Sequence, residues 1–128
     1  MLLHLSDISS EPLHGQISRQ IRAKILSGDI VEGHPLPSIR AMAREQHVSV
    51  ITVQRAYEDL DREGLIHSRR GKGFYVSAIT ENKKSRLAVE RLRENLEPVV
   101  RIALSEGVEP RVIGSEVRNF LKNLGGAK

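Results

Sequence analysis

A chain of 128 residues with 39% hydrophobic and 28% charged content is a folding sequence. It suffices for one ordinary domain, or a small domain with an appendage, and is too short for an α/β barrel. Cysteine is absent, which excludes disulfides, zinc knuckles and thiol nucleophiles, and no apolar run reaches bilayer length. A net charge of +4 permits a polyanionic partner, but residues 1–78 carry ten Lys and Arg against nine Asp and Glu, and residues 79–128 ten against seven, so any binding charge must be local.

In chain order, the opening "MLLHLSDISSEPL" has no basic n-region, sustained apolar core or small-residue cleavage site, so no export signal is expected and the sequence predicts a soluble, cytoplasmic protein. From Pro12 to Ser27, Leu13, Ile17, Ile21 and Ile25 recur at i+4 and predict an amphipathic helix closed by Gly28. "GDIVEGHPLP" (28–37) holds two glycines and two prolines and reads as a loop. Ser38 has the chemistry of an N-cap for a short helix through "IRAMAREQ", with Ile39, Met42 and Ala43 on its apolar side and Arg40 and Arg44 together on another.

The next stretch, "VSVITVQRAYEDLDREGLI" (48–66), is ambiguous by propensity, because Val48, Val50, Ile51, Thr52 and Val53 favour a strand. Spacing decides for a helix: Val53, Ala56, Tyr57 and Leu60 fall at i, i+3, i+4 and i+7, Ser49 is a suitable cap, and Gly64 suits a left-handed C′ position. "LIHSRR" and "FYVS", joined through "GKG" at 71–73, predict a small β-hairpin. Beyond Ala78, Val89, Leu92, Leu96, Val99, Val100 and Ala103 follow helical spacing, with Thr80 or Asn82 as cap and Pro98 expected to kink the helix or divide it in two. A last helix, about 110–124, places Ile113, Val117, Phe120, Leu121 and Leu124 on one face ahead of a flexible "GGAK" tail.

Three helices, a four-residue break before the third and a following hairpin predict a mainly α fold with a small β-hairpin. This is a winged helix-turn-helix over 11–79 (helix-turn-helix 38–63, wing 65–77), followed by a short all-α C-terminal dimerisation segment over 80–128. Such a domain lays one helix in the major groove of DNA and offers its first turn to base edges and phosphate. Candidates there are Ser49, Val50, Ile51 and Thr52, then Gln54 and Arg55; the hairpin adds Arg69, Arg70 and Lys72 beside Gly71 and Gly73.

Residues 11–79 resemble the DNA-binding domain of the GntR family of bacterial transcription regulators. The blocks "PLHGQI", "ILSGDIVEG", "LPSIRAMA", "VSVITVQRAYEDL", "EGLI" and "RRGKGFYV" follow the family pattern in order and spacing, and the short tail is similar to that of the YtrA branch. The resemblance implies DNA contact by Arg40 with Ser38 beside it, by Ser49 to Thr52 with Gln54 and Arg55, and by the wing tip at Arg70, Gly71 and Lys72. Arg44 is a further candidate on the same helix as Arg40. Many members carry Arg, Pro or Asn where this chain has Val50 and Ile51, which replaces hydrogen-bonded readout there with contact to thymine methyl groups. Met42 stands where the pattern has Leu, a volume-conserving exchange.

Other chemistries find little footing. His4, His14, His34, His47 and His67 are scattered with no i, i+4 pair, "GKG" lacks the length and following Ser or Thr of a phosphate-binding loop, and no nucleophile motif occurs. No metal, no cofactor and no enzymatic activity are expected. The two C-terminal helices carry more apolar surface than a winged helix needs to cover itself, so Val89, Leu92, Leu96, Val99, Val100, Ala103, Val117, Phe120, Leu121 and Leu124 are expected at a homodimer interface. A two-fold dimer predicts an inverted-repeat operator in double-stranded DNA, and the resemblance implies a repressor, loosely of transporter genes. The alternative is a protein-interaction or non-specific architectural DNA-binding module; nothing in the sequence identifies a small-molecule effector.

Overall fold

The computed structural model of the chain describes residues 1–125; residues 126–128, most of the expected "GGAK" tail, lie outside the described residues. Its elements are α1 (Leu13–Leu26), α2 (Ile39–Gln46), α3 (Val50–Arg62), β1 (Ile66–Arg69), β2 (Gly73–Val76), α4 (Glu81–Ser105), α5 (Pro110–Phe120) and a π-helical turn (Leu121–Gly125). Two compact units divide within α4, the first from Met1 to Ser85 and the second from Arg86 onward.

The first unit is built on one core. Ile17, Ile21 and Ile25 of α1, Met42 and Ala43 of α2, and Val53, Ala56, Tyr57 and Leu60 of α3 are buried, together with Leu65, Ile66 and Val76. Each fully buried aliphatic side chain contributes roughly 1.5–3 kcal/mol of transfer free energy, which is why the helical spacing of these residues, rather than local propensity, fixes three short helices. Caps set their ends. Ser38 Oγ accepts from the Ala41 amide at 3.1 Å, Ser49 Oγ from the Thr52 amide at 3.1 Å, and Gly64 closes α3 in the left-handed region at φ +78°. Thr80 rather than Asn82 caps α4, its hydroxyl accepting from the Lys83 amide at 3.1 Å.

β1 and β2 pair antiparallel, Ile66 opposite Val76 and Arg69 opposite Gly73. The segment read as a loop does more than connect: Gly33 donates to Val76 O, Val76 to His34 O and Leu36 to Phe74 O at 2.8–3.0 Å, and Pro35 bridges Tyr75. Residues 33–36 thus line the free edge of β2, where Pro35 is tolerated because an edge residue needs no donor on its outer side. Residues 1–10, outside the expected domain span, are also tied down. Leu3 is buried, Gln20 exchanges two hydrogen bonds with the backbone of His4, and Gln16 pairs with the Ser6 backbone and with Glu11 O.

In the second unit α4 runs unbroken through Pro98, so the expected division into two helices does not occur. Pro98 removes one donor from the ladder, but Glu94, whose carbonyl it would have bonded, lies on an exposed turn, so that carbonyl is not buried without a partner. The last helix stops as α-helix at Phe120, short of the expected Leu124, and widens to a π-helical turn; the glycines after Leu124 have too little helix propensity to hold that turn to α geometry. No residue of α4, α5 or the π turn is buried. No helix among the described residues is long and apolar enough to cross a membrane.

Candidate nucleic-acid interface

α2 and α3 are joined by His47, Val48 and Ser49, one residue fewer than the expected four-residue break. His47 takes the left-handed conformation, φ 56° and ψ 46°, and the Val48 amide bonds back to Ala43 O at 3.0 Å. The chain therefore reverses tightly and Ser49 opens α3 with its side chain engaged in capping: besides accepting from the Thr52 amide, its Oγ shares a 2.8 Å hydrogen bond with Thr52 Oγ1. Val53, Ala56, Tyr57 and Leu60 turn inward, so Val50, Ile51, Gln54, Arg55 and Glu58 are left on the exposed side of α3.

Tyr57 fixes this helix to its neighbours. Its hydroxyl donates to Pro37 O at 2.7 Å, just before α2, and its ring meets Phe74 of β2 edge-on with centroids 5.1 Å apart. Burial first, and the negative charge of Glu45 second, push the phenol pKa well above its usual range, so the hydroxyl remains a donor at any physiological pH. One core side chain thus sets the relative position of α2, α3 and the hairpin.

The hairpin tip is Arg70, Gly71 and Lys72, closed by a 2.9 Å bond from the Lys72 amide to Arg69 O, with Gly71 and Gly73 at positive φ. Arg69 does not project as a loose cation. Its partner across the ladder, Gly73, has no side chain, and the guanidinium leans diagonally onto Tyr75, 4.3 Å from the ring centroid. His67 lies on the same face, opposite Tyr75, with Nδ1 3.0 Å from Ser77 Oγ. Sequence reasoning missed this stack, although the alternation 67, 69, 75 in a paired register carries its signal.

Charge is sorted over the first unit. The cations of α1 are paired, Arg19 with Glu11, Arg22 with Glu63 and Lys24 with Asp29, and at the end of α3 Arg62 pairs with Asp59. By contrast, Arg40, Arg44, Arg55, Arg69, Arg70 and Lys72 are exposed and make no ion pair among the described residues. Glu45, the one carboxylate between residues 33 and 57, lies 3.6 Å from the terminal ammonium of Met1. No group of His, Asp or Glu among the described residues is arranged to hold a metal.

A helix-turn-helix whose second helix is exposed at its start, followed by a basic glycine-bearing hairpin, defines a winged helix-turn-helix protein. Comparison with known proteins agrees. A sequence model of the bacterial regulatory proteins of the gntR family matches residues 13–76. The chain is 31% identical over 130 residues to the HTH-type transcriptional repressor YtrA of Bacillus subtilis, covering 99% of this chain and 98% of that protein. It is 31% identical to the transcriptional regulator YhcF of the same organism over 101 residues, 77% of this chain and 84% of that one. Among solved structures, a GntR family regulator from Listeria monocytogenes superposes with TM-score 0.75 at 26% identity, over 90% of this chain and 98% of the other. YtrA from Sulfolobus acidocaldarius, a GntR-family transcription factor, gives 0.57 at 25%, over 95% and 98%. The chain belongs to the GntR family: it is a DNA-binding transcription regulator, not an enzyme.

Proposed function

We propose that this regulator is a homodimeric, sequence-specific repressor that occupies an inverted-repeat operator, with α3 in the major groove and the hairpin on the minor groove. The observation that carries the reading is the segregation of unpaired cations: Arg40, Arg44, Arg55, Arg69, Arg70 and Lys72 lack carboxylate partners, while Arg19, Arg22 and Lys24 of α1 are neutralised. Arg40 and Arg44 serve phosphates beside the groove; Arg69, Arg70 and Lys72 serve the backbone and minor groove, with Gly71 and Gly73 permitting close approach. Ser38 and Ser49, whose hydroxyls cap α2 and α3, and Thr52, whose hydroxyl bonds that of Ser49, set the first turns against the groove; Val50, Ile51, Gln54 and Arg55 address the bases. Whole-length likeness to a repressor supports repression over activation.

The second unit supplies the dimer in this reading. Val89, Leu92, Leu96, Val99 and Ala103 are spaced 3, 4, 3 and 4 along α4, the seam of a coiled coil. Val89, Leu92, Leu96, Val99, Val117, Phe120, Leu121 and Leu124 are exposed in the single chain, and Val100 and Ala103 half-buried. A second copy covers them and fixes two recognition helices about one turn of DNA apart, roughly 10 base pairs or a multiple.

Selection of bound DNA from a random pool, with sedimentation of the free protein, tests the reading. An inverted repeat with constant half-site spacing and a dimeric mass are expected. Enrichment without sequence preference favours the architectural alternative, and a monomer that persists at micromolar concentration rejects the dimer.

A further inference from the structure

On the reading that α3 enters the major groove, we infer that Val50 and Ile51 read thymine by its 5-methyl group, so that each half-site carries thymines on neighbouring base pairs facing the first turn of α3. The hydroxyls that flank them are engaged within the turn: Ser49 Oγ and Thr52 Oγ1 share one hydrogen bond at 2.8 Å, and Ser49 Oγ also accepts from the Thr52 amide, which leaves one hydroxyl proton for a partner outside the helix. The larger part of what the first turn presents outward is apolar: Val50 is 45% exposed and Ile51 63% exposed.

Folding gives no account of these two residues. Neither joins the core of the first unit, and β-branched side chains restrict rotamers in a helix, so at exposed sites they weaken α3 slightly without gaining burial. In the major groove the same methyl groups have a partner, since thymine alone among the bases offers an apolar group there. Cytosine in that place sets its N4 donor against Val or Ile and leaves it without an acceptor, because no carboxylate lies on the exposed side of α3 before Glu58, two turns on. Gln54, four residues from Val50 and three from Ile51, lies on the same side and supplies the hydrogen-bonding contact to an adjoining base.

The test replaces each thymine of the selected operator in turn with deoxyuridine, which deletes the methyl group and preserves pairing, and measures affinity of the full-length protein at fixed salt. Loss of about fourfold per methyl, the worth of one buried methylene-sized group, is expected at the thymines facing the first turn and at no others. Val50→Ala should abolish the effect at one of them and Ile51→Ala at the other, with circular dichroism confirming that both variants fold. Specific operator binding with no loss at any deoxyuridine, or losses that persist in both variants, overturns this inference and leaves the regulator reading intact. Absence of any preferred operator overturns both.

Discussion

Tyr57 shows how much of the site one buried side chain carries. By spacing alone it is a core residue of α3, and it is 1% exposed; its hydroxyl bond to Pro37 O and its contact with Phe74 were not legible, because both partners lie outside its own helix. Tyr57→Phe keeps the ring and leaves the Pro37 carbonyl unpaired, so stability at neutral pH should fall by about 0.5–1.5 kcal/mol. The pH dependence has a definite sign. The folded phenol is raised above the unfolded value of about 10, so from pH ~10 upward the unfolded chain loses this proton while the folded chain keeps it. Stability from this group is thus complete below pH ~10 and declines above it, approaching ~1.4 kcal/mol per pH unit. Urea unfolding at pH 8 and pH 11 should show the gap between wild type and Tyr57→Phe closing at the higher pH; a constant gap rejects the account.

Among the elements, those with a complete apolar face were the readable ones. α1 and α3 follow from Ile17, Ile21 and Ile25 and from Val53, Ala56, Tyr57 and Leu60, since burial of these positions outweighs even the β-branched start of α3. The edge segment 33–36 and the anchored residues 1–10 follow no periodicity. They are held by backbone bonds and by Gln16 and Gln20, whose partners no spacing rule identifies. At Pro98 only part of the local rule was decided: the helix is not divided, and the carbonyl that loses its donor lies on an exposed turn. Pro98→Ala should then raise helicity by circular dichroism and stabilise α4 by up to ~3 kcal/mol. Unchanged or lower thermal stability with unchanged dimerisation would mean that the proline is accommodated without strain.

For the whole molecule, the small net charge conceals a sorting of paired and unpaired cations, the arrangement proposed to bind DNA. Cations on α1 have acidic partners, and the hydrogen bonds that Arg19 donates to Glu11 hold its guanidinium above its already high pKa, whereas Arg40, Arg44, Arg55 and the hairpin cations have none. This sorting was invisible in composition and only partly visible in the motifs, because pairing depends on which helices face each other. It predicts a sharp contrast between two arginines of equal formal charge. In a dimer, Arg70→Ala removes two phosphate contacts, so the slope of log affinity against log salt should become shallower by about 2, at roughly 0.9 per phosphate. The loss should be nearly the same on operator and random DNA, since a phosphate contact carries no sequence information. Arg19→Ala, which deletes a cation already neutralised by Glu11, should leave the slope unchanged. Titrations from 50 to 300 mM salt decide between the two, and equal slopes for both variants would show that net charge, not its placement on the second and third helices and the hairpin, governs binding.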